Sequence, residues 1–151
     1  MTTVLKSFIN ENIQSIESEL ISLVEKIQAP DHLKESMLYS LKAGGKRVRP
    51  LYVLAVAKSF GVDLKNALTI GAAIEMIHTY SLIHDDLPCM DNDSLRRGKP
   101  TNHVVYGDAL ATLAGDALNT LAFGVIARTN ADPAIRIELV NLLSIAAGAE
   151  G

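Results

Sequence analysis

The sequence predicts an all-α fold, and three observations carry that reading. Apolar residues recur at steps of three and four along most of the chain. Prolines and glycines fall between these stretches and divide the chain into six helical segments. No window alternates apolar and polar residues with a period of two, so no sheet is expected.

The first segment is the plainest. Val4, Phe8, Ile9, Ile13, Ile16, Leu20, Val24 and Ile27 share one helical stripe, with Glu and Lys between them. Ala29-Pro30-Asp31 stops this helix and starts a second, which the pair Gly44-Gly45 ends. Pro50 opens a third helix that runs through about Phe60 and closes at Gly61. A fourth spans about Leu64 to Asp86 and is apolar nearly all round, including Ala67, Leu68, Ile70, Met76 and Ile83. A helix of that kind belongs at the centre of a bundle. Pro88 ends it, and a polar loop lasts to about Thr101. Asp108 to Arg128 makes a fifth helix, and Asp132-Pro133 starts a sixth that is still running near Ala147. Alanines crowd the later helices, where small residues allow close approach.

Composition bounds the function. The 151 residues are 48% apolar and 21% charged, with a net charge of −3, which reads as soluble and globular. Nucleic-acid binding has little support at that charge with only two short basic patches. The single Cys89 leaves no internal disulfide and points to a reducing, cytoplasmic setting. Met1 to Lys6 lacks the pattern of a secretion signal. The apolar run Ala109 to Ala127 is broken by Asp116 and Asn119, so no membrane span or stable membrane anchor is expected. The chain ends Ser-Ile-Ala-Ala-Gly-Ala-Glu-Gly with no polar tail, which reads as an interrupted domain.

The chemistry concentrates between His84 and Gly98. Asp85, Asp86, Asp91 and Asp93 stand just before Arg96 and Arg97. A partner that suits both clusters is a Mg²⁺–diphosphate complex. Carboxylate oxygens hold the ion, which keeps other positions for water and phosphate, and guanidinium forks bind phosphate oxygens. His78, Ser81, Leu82 and Asp85 share one face of the fourth helix, so Asp85 and Asp86 are expected to point outward at its C-terminal end. The helix dipole disfavours anions there, and a bound cation would remove the penalty. The alternative is a solvated acidic loop that merely ends a helix.

Gly44-Gly45-Lys46-Arg47-Val48-Arg49-Pro50 forms a second candidate site, with three cations before a helix N-terminus that attracts anions. Taken alone, it also reads as a solvated basic loop, and so does Arg96-Arg97. His78 and Tyr80 alone read as core residues.

Together the motifs say more. Gly-Gly-Lys-Arg-x-Arg-Pro, then His-x-x-Ser-Leu-x-His-Asp-Asp-x-Pro-x-Met-Asp, then Arg-Arg-Gly-x-Pro-Thr resembles the trans-polyprenyl diphosphate synthases. The pattern is most similar to their bacterial farnesyl diphosphate synthase (geranyltranstransferase) branch, in register from about Leu41 to Gly115. The resemblance implies the N-terminal part, residues 1–151, of an isoprenoid-synthase helical bundle, in a homodimer. It implies Mg²⁺ on Asp85 and Asp91, with Asp86 in the same motif. It gives Arg96 to the allylic diphosphate (dimethylallyl or geranyl), and Lys46, Arg49, His78 and Arg97 to isopentenyl diphosphate. The implied reaction is ionisation, condensation and proton loss.

Tyr80 and Ser81 lie about one turn, roughly 5 Å, deeper than Asp85. An aromatic there, with the Pro88-Cys89 insertion, implies a C15 product by the same resemblance; a geranylgeranyl product is the alternative. Ser94 stands where the family usually has an acid. Relatives run nearly twice as long and carry a second aspartate-rich motif, so the 151 residues alone are expected to be catalytically inert. Three rival readings are weaker. An HD-type phosphohydrolase would use His84-Asp85 as metal ligands. A calcium loop from Asp91 fails, because Arg96 and Asn102 occupy the positions that need Gly and Glu. A helical interaction module would use exposed apolar faces.

Overall fold

The computed structural model describes residues 3–151. Its long helices are α1 (Thr3–Glu25), α2 (Asp31–Leu41), α3 (Val48–Ser59) and α4 (Leu64–Asp85). They are followed by a small hairpin of β1 (Leu95–Arg96) and β2 (Lys99–Pro100), then α5 (Asn102–Tyr106), α6 (Asp108–Ala127) and α7 (Pro133–Ala147). The all-α class holds, and the six expected helices are present.

Local chemistry sets the boundaries. Asp63 caps α4, its carboxylate accepting from the Lys65 N–H at 3.1 Å. Asp132 does the same for Ala134 at 2.8 Å, with Pro133 beginning α7. Helix α2 stops at Leu41, short of the expected glycine pair. The Leu41 carbonyl accepts from the guanidinium of Arg47 instead of from the next turn of helix. Helix α3 starts at Val48, which leaves Pro50 in the first turn, where its missing N–H is not needed.

The loop after α4 corrects the expectation of no sheet. Leu95 pairs with Pro100 and Arg96 with Lys99, antiparallel, across the two-residue connection Arg97-Gly98. Both connecting residues have positive φ, 55° and 77°, as a type I′ turn requires. Two-residue strands are too short to show alternation. Helix α5 was also unforeseen, and Gly107 at φ 83° separates it from α6.

Helix α4 lies at the centre, against α3 on one side and α6 on the other. Small residues let it approach both. A Cβ on Gly71 would meet the Pro50 Cα at 3.0 Å. Ala72, Ala73 and Met76 of α4 are fully buried, as are Ala111, Ala114, Leu118 and Ala122 of α6. Ile16, Leu20 and Val24 of α1 and Met37 of α2 complete the core. Helix α6, with an 18-residue window of mean hydropathy 1.5, is long and apolar enough to cross a membrane by length and composition alone, a test that the core helix of a bundle also passes. Here its apolar face packs on α4. Helix α7 buries none of its residues and exposes Ile135, Ile137, Leu142 and Ile145.

One polar tie secures the loop to the bundle. Asn102 Nδ2 donates to the Ser36 carbonyl at 2.9 Å and to Ser40 Oγ at 2.8 Å, while its Oδ1 accepts from Ser36 Oγ at 2.8 Å. Asn102 is 3% exposed, so truncation removes three hydrogen bonds, two of them to buried Ser36. Asn102→Ala is expected to cost about 1–3 kcal/mol, read as a lower urea midpoint; an unchanged midpoint would refute the tie.

Candidate active site

The acidic motif divides into two kinds of carboxylate. The backbone N–H of Asp91 donates to the carbonyl of Asp85 at 2.8 Å, so a turn closes over Leu87–Met90 and sets these two residues side by side. Asp85 is partly exposed and Asp91 exposed. Neither side chain has a hydrogen bond or ion pair among the described residues. Asp86 differs, at 4% exposure, and corrects the expectation that it points outward. The Arg96 Nε and Nη2 grip its two oxygens as a fork, at 2.9 Å and 2.7 Å. This pairing holds the Arg96 guanidinium above its ordinary pKa. The cation that offsets the helix dipole at Asp86 is therefore Arg96 rather than a metal. The Nη1 of Arg96 has no partner among the described residues.

Residues 93–101 hold the hairpin in place. Thr101 donates its hydroxyl to the Asp93 carbonyl at 2.7 Å, and Tyr39 donates to that of Pro100 at 2.8 Å. Arg97, at the hairpin tip, reaches back to donate to the Gly44 carbonyl. Gly45 holds φ 153°, which L side chains rarely adopt, and the Arg97 guanidinium lies where its Cβ would be. The second basic cluster is thereby brought against the first.

The basic loop is likewise divided. Lys46 and Arg49 are exposed, whereas Arg47 is 3% exposed and turned inward. Its guanidinium meets Glu17 Oε1 at 2.6 Å and Glu75 Oε1 at 3.0 Å. Burial works against its charge, but the hydrogen bonds it donates to Glu17 and Glu75 outweigh that and raise its pKa. Lys46, Arg49, His78 and Arg97 line one open cavity with Glu75 at its wall. Sequence reasoning missed Glu75. The available signal was a lone acid inside an apolar helix, since such a group is rarely buried unless paired.

Among the described residues, the non-glycines with positive φ are Arg47, Asn92 and Arg97. All three lie in these motifs, as expected where a site holds strained backbone. Among the described residues, no three His, Cys, Asp or Glu side chains converge to hold a metal. Asp85, partly exposed, and Asp91, exposed, are hard oxygen donors of the type that Mg²⁺ takes.

The other predicted residues fall on α4. Ser81 donates its hydroxyl to the His78 carbonyl at 2.9 Å. Tyr80 packs edge-on against His84, with ring centroids 5.5 Å apart. His84 lies 3.0 Å from the Thr112 carbonyl through Nε2, and a Cβ on Gly115 would collide with its ring. This contact between α4 and α6 occupies Nε2, so a metal at His84-Asp85 would have to use Nδ1.

Comparison with known proteins agrees with the motifs. The family model described as Polyprenyl synthetase matches residues 30–149. The farnesyl diphosphate synthase of Bacillus subtilis is 56% identical, over 100% of this chain and 52% of its own length. A chloroplastic geranylgeranyl pyrophosphate synthase of Capsicum annuum is 47% identical, over 97% of this chain and 40% of its own. The crystal structure of an FPP/GFPP synthase from Zymomonas mobilis superposes with a TM-score of 0.91 at 46% identity, over 100% of this chain and 55% of that one. The chain thus spans about half the length of the relatives it matches.

The cavity constrains His78. Burial, then the charges of Arg49, Arg97 and Arg47, lower its pKa from 6.5, and Glu75 opposes them in part. The folded protein therefore binds fewer protons here than the unfolded chain between that lowered value and 6.5, and stability falls as pH drops through this window. In urea titrations at pH values on either side of 6.5, His78→Gln is expected to flatten this acid limb. An unaltered limb would show that His78 does not cause it.

Proposed function

Because the chain belongs to the polyprenyl synthetase family, we propose that it carries the diphosphate-binding machinery of a prenyltransferase. The enzyme joins isopentenyl diphosphate to dimethylallyl or geranyl diphosphate and yields farnesyl diphosphate. The observation that carries the reading is the Asp91-to-Asp85 backbone bond at 2.8 Å, which closes the main chain between two acids that have no side-chain partner among the described residues, while Lys46, Arg49, His78 and Arg97 line an open cavity.

The roles follow from the pairing. Asp85 and Asp91 would hold Mg²⁺, which when bound neutralises charge building on the leaving diphosphate. Asp86 aims Arg96, whose free Nη1 is available to the allylic diphosphate. Lys46, Arg49, Arg97 and His78 bind isopentenyl diphosphate without metal, since cations alone suffice for one anion. The allylic C–O bond breaks with both electrons leaving on diphosphate. The isopentenyl double bond attacks the resulting cation, and loss of a proton restores an alkene. Fixed donors favour the first step by matching the departing charge.

Tyr80, one turn below Asp85, supports the C15 product by flooring the space for the growing tail. The geranylgeranyl product is the second reading, favoured by the Capsicum annuum likeness. We further read the protein as a cytoplasmic homodimer; the apolar residues exposed on α7 support such an assembly.

In the intact protein, Asp85→Asn and Asp91→Asn should each lower kcat with geranyl and isopentenyl diphosphates by about a hundredfold or more. Unchanged turnover in both would remove the assignment. Tyr80→Ala should shift the product towards longer chains by chromatography, and a product mixture identical to the parent's would overturn the flooring role.

A further inference from the structure

Arg47 interrupts the basic loop at a telling point. It sits between Lys46 and Arg49, caps α3, and holds a left-handed backbone at φ 46° and ψ 39°. An unbranched residue adopts that conformation at a cost, and it persists where the surroundings impose it. Three helices impose it here. The Nε and Nη2 of Arg47 fork onto Glu17 of α1, at 2.6 Å and 3.1 Å. Nη2 also donates to the Leu41 carbonyl that ends α2, and Nη1 donates to Glu75 of α4 at 3.0 Å.

Stability alone is a poor reason for this arrangement. A buried ion pair is often no more stabilising than well-packed apolar residues. This one sets two carboxylates against one guanidinium, and Glu75 Oε2 is buried without a hydrogen-bond partner. Glu75, its side chain only 3% exposed, also forms the wall of the cavity that Lys46, Arg49, His78 and Arg97 line. The costly group therefore stands where the orientation of the loop matters most.

We propose that Glu75 and Arg47 are positioning residues for this cavity: by anchoring the left-handed turn to α1 and α4, they hold Lys46 and Arg49 at the spread that one diphosphate requires. The inference rests on reading the cavity as the isopentenyl diphosphate site. Both border the cavity, but their polar atoms are directed at each other, and they act by holding the loop that carries Lys46 and Arg49. Small misplacements of binding groups carry large penalties, which makes the effect measurable.

The test uses the intact protein and steady-state kinetics with each substrate varied in turn. Glu75→Leu, which keeps bulk but removes the acceptor, should raise KM for isopentenyl diphosphate about tenfold. Its KM for the allylic diphosphate and its kcat should stay within about twofold of the parent. Glu75→Gln keeps an oxygen for Arg47 Nη1 and should return KM to within about threefold. Arg47→Lys keeps the charge and loses the fork, so it should reproduce the Glu75→Leu pattern and carries the test should that variant not fold. Parallel losses in both KM values and kcat would mean a merely structural role and overturn the proposal. A lower KM in Glu75→Leu would mean that Glu75 only repels the anion, which overturns it equally. Arg49→Ala separates the two layers. If it leaves KM for isopentenyl diphosphate unchanged, the cavity assignment fails and takes this inference with it. If it raises KM while Glu75→Leu and Arg47→Lys do not, the positioning role alone fails.

Discussion

The structure depends on how closely α4 approaches its two neighbours. On one side Gly71 lies against Pro50, with no room for a Cβ without displacement of the α3 backbone. On the other, the ring of His84 lies over Gly115 of α6. Interiors are packed too densely for such contacts to loosen independently. The C-terminal end of α4, where Asp85 and Asp86 stand, is therefore fixed against α6, and the start of α3, where Lys46 and Arg49 stand, is fixed against α4. Two charged motifs 30 or more residues apart in the sequence meet where Arg97 reaches the Gly44 carbonyl, because small residues admit the helices that carry them.

Within that frame, each cationic pair is split by a buried carboxylate. Asp86 takes Arg96, and Glu75 with Glu17 takes Arg47. What remains is one free nitrogen on Arg96, together with Lys46, Arg49 and Arg97. Desolvated carboxylates bound to guanidinium forks are directional, so they fix orientation more firmly than exposed pairs, which contribute little. The arrangement thus uses acids of the same chemical type in two ways: those buried aim arginines, and Asp85 and Asp91 have no side-chain partner among the described residues.

Much of this was legible in the sequence, for identifiable reasons. Helix order followed from prolines and glycines that sit between stripes, and the Asp63 and Asp132 caps mark starts that local chemistry alone dictates. The pairing of acidic and basic motifs was visible because charge type and spacing are local properties. The hairpin was hidden because strands of two residues show no period, and its only trace is Arg97-Gly98, a dipeptide suited to positive φ. The inward turn of Asp86 was hidden as well, since its partner lies ten residues on, across a loop whose path periodicity does not describe. Glu75 was missed because an acid within an apolar stretch announces burial without naming the residue that meets it.

The turn between Asp85 and Asp91 has a consequence for how this motif can vary. The main chain of these two residues is closed by one bond that spans the intervening residues, and Pro88, Cys89 and Met90 form a solvent-facing blister. Extra length placed in the blister would leave the Asp91-to-Asp85 bond at its base in place as long as that bond still forms. Nature could thus lengthen or shorten this segment, altering whatever the rim touches, while the base of the turn stays closed.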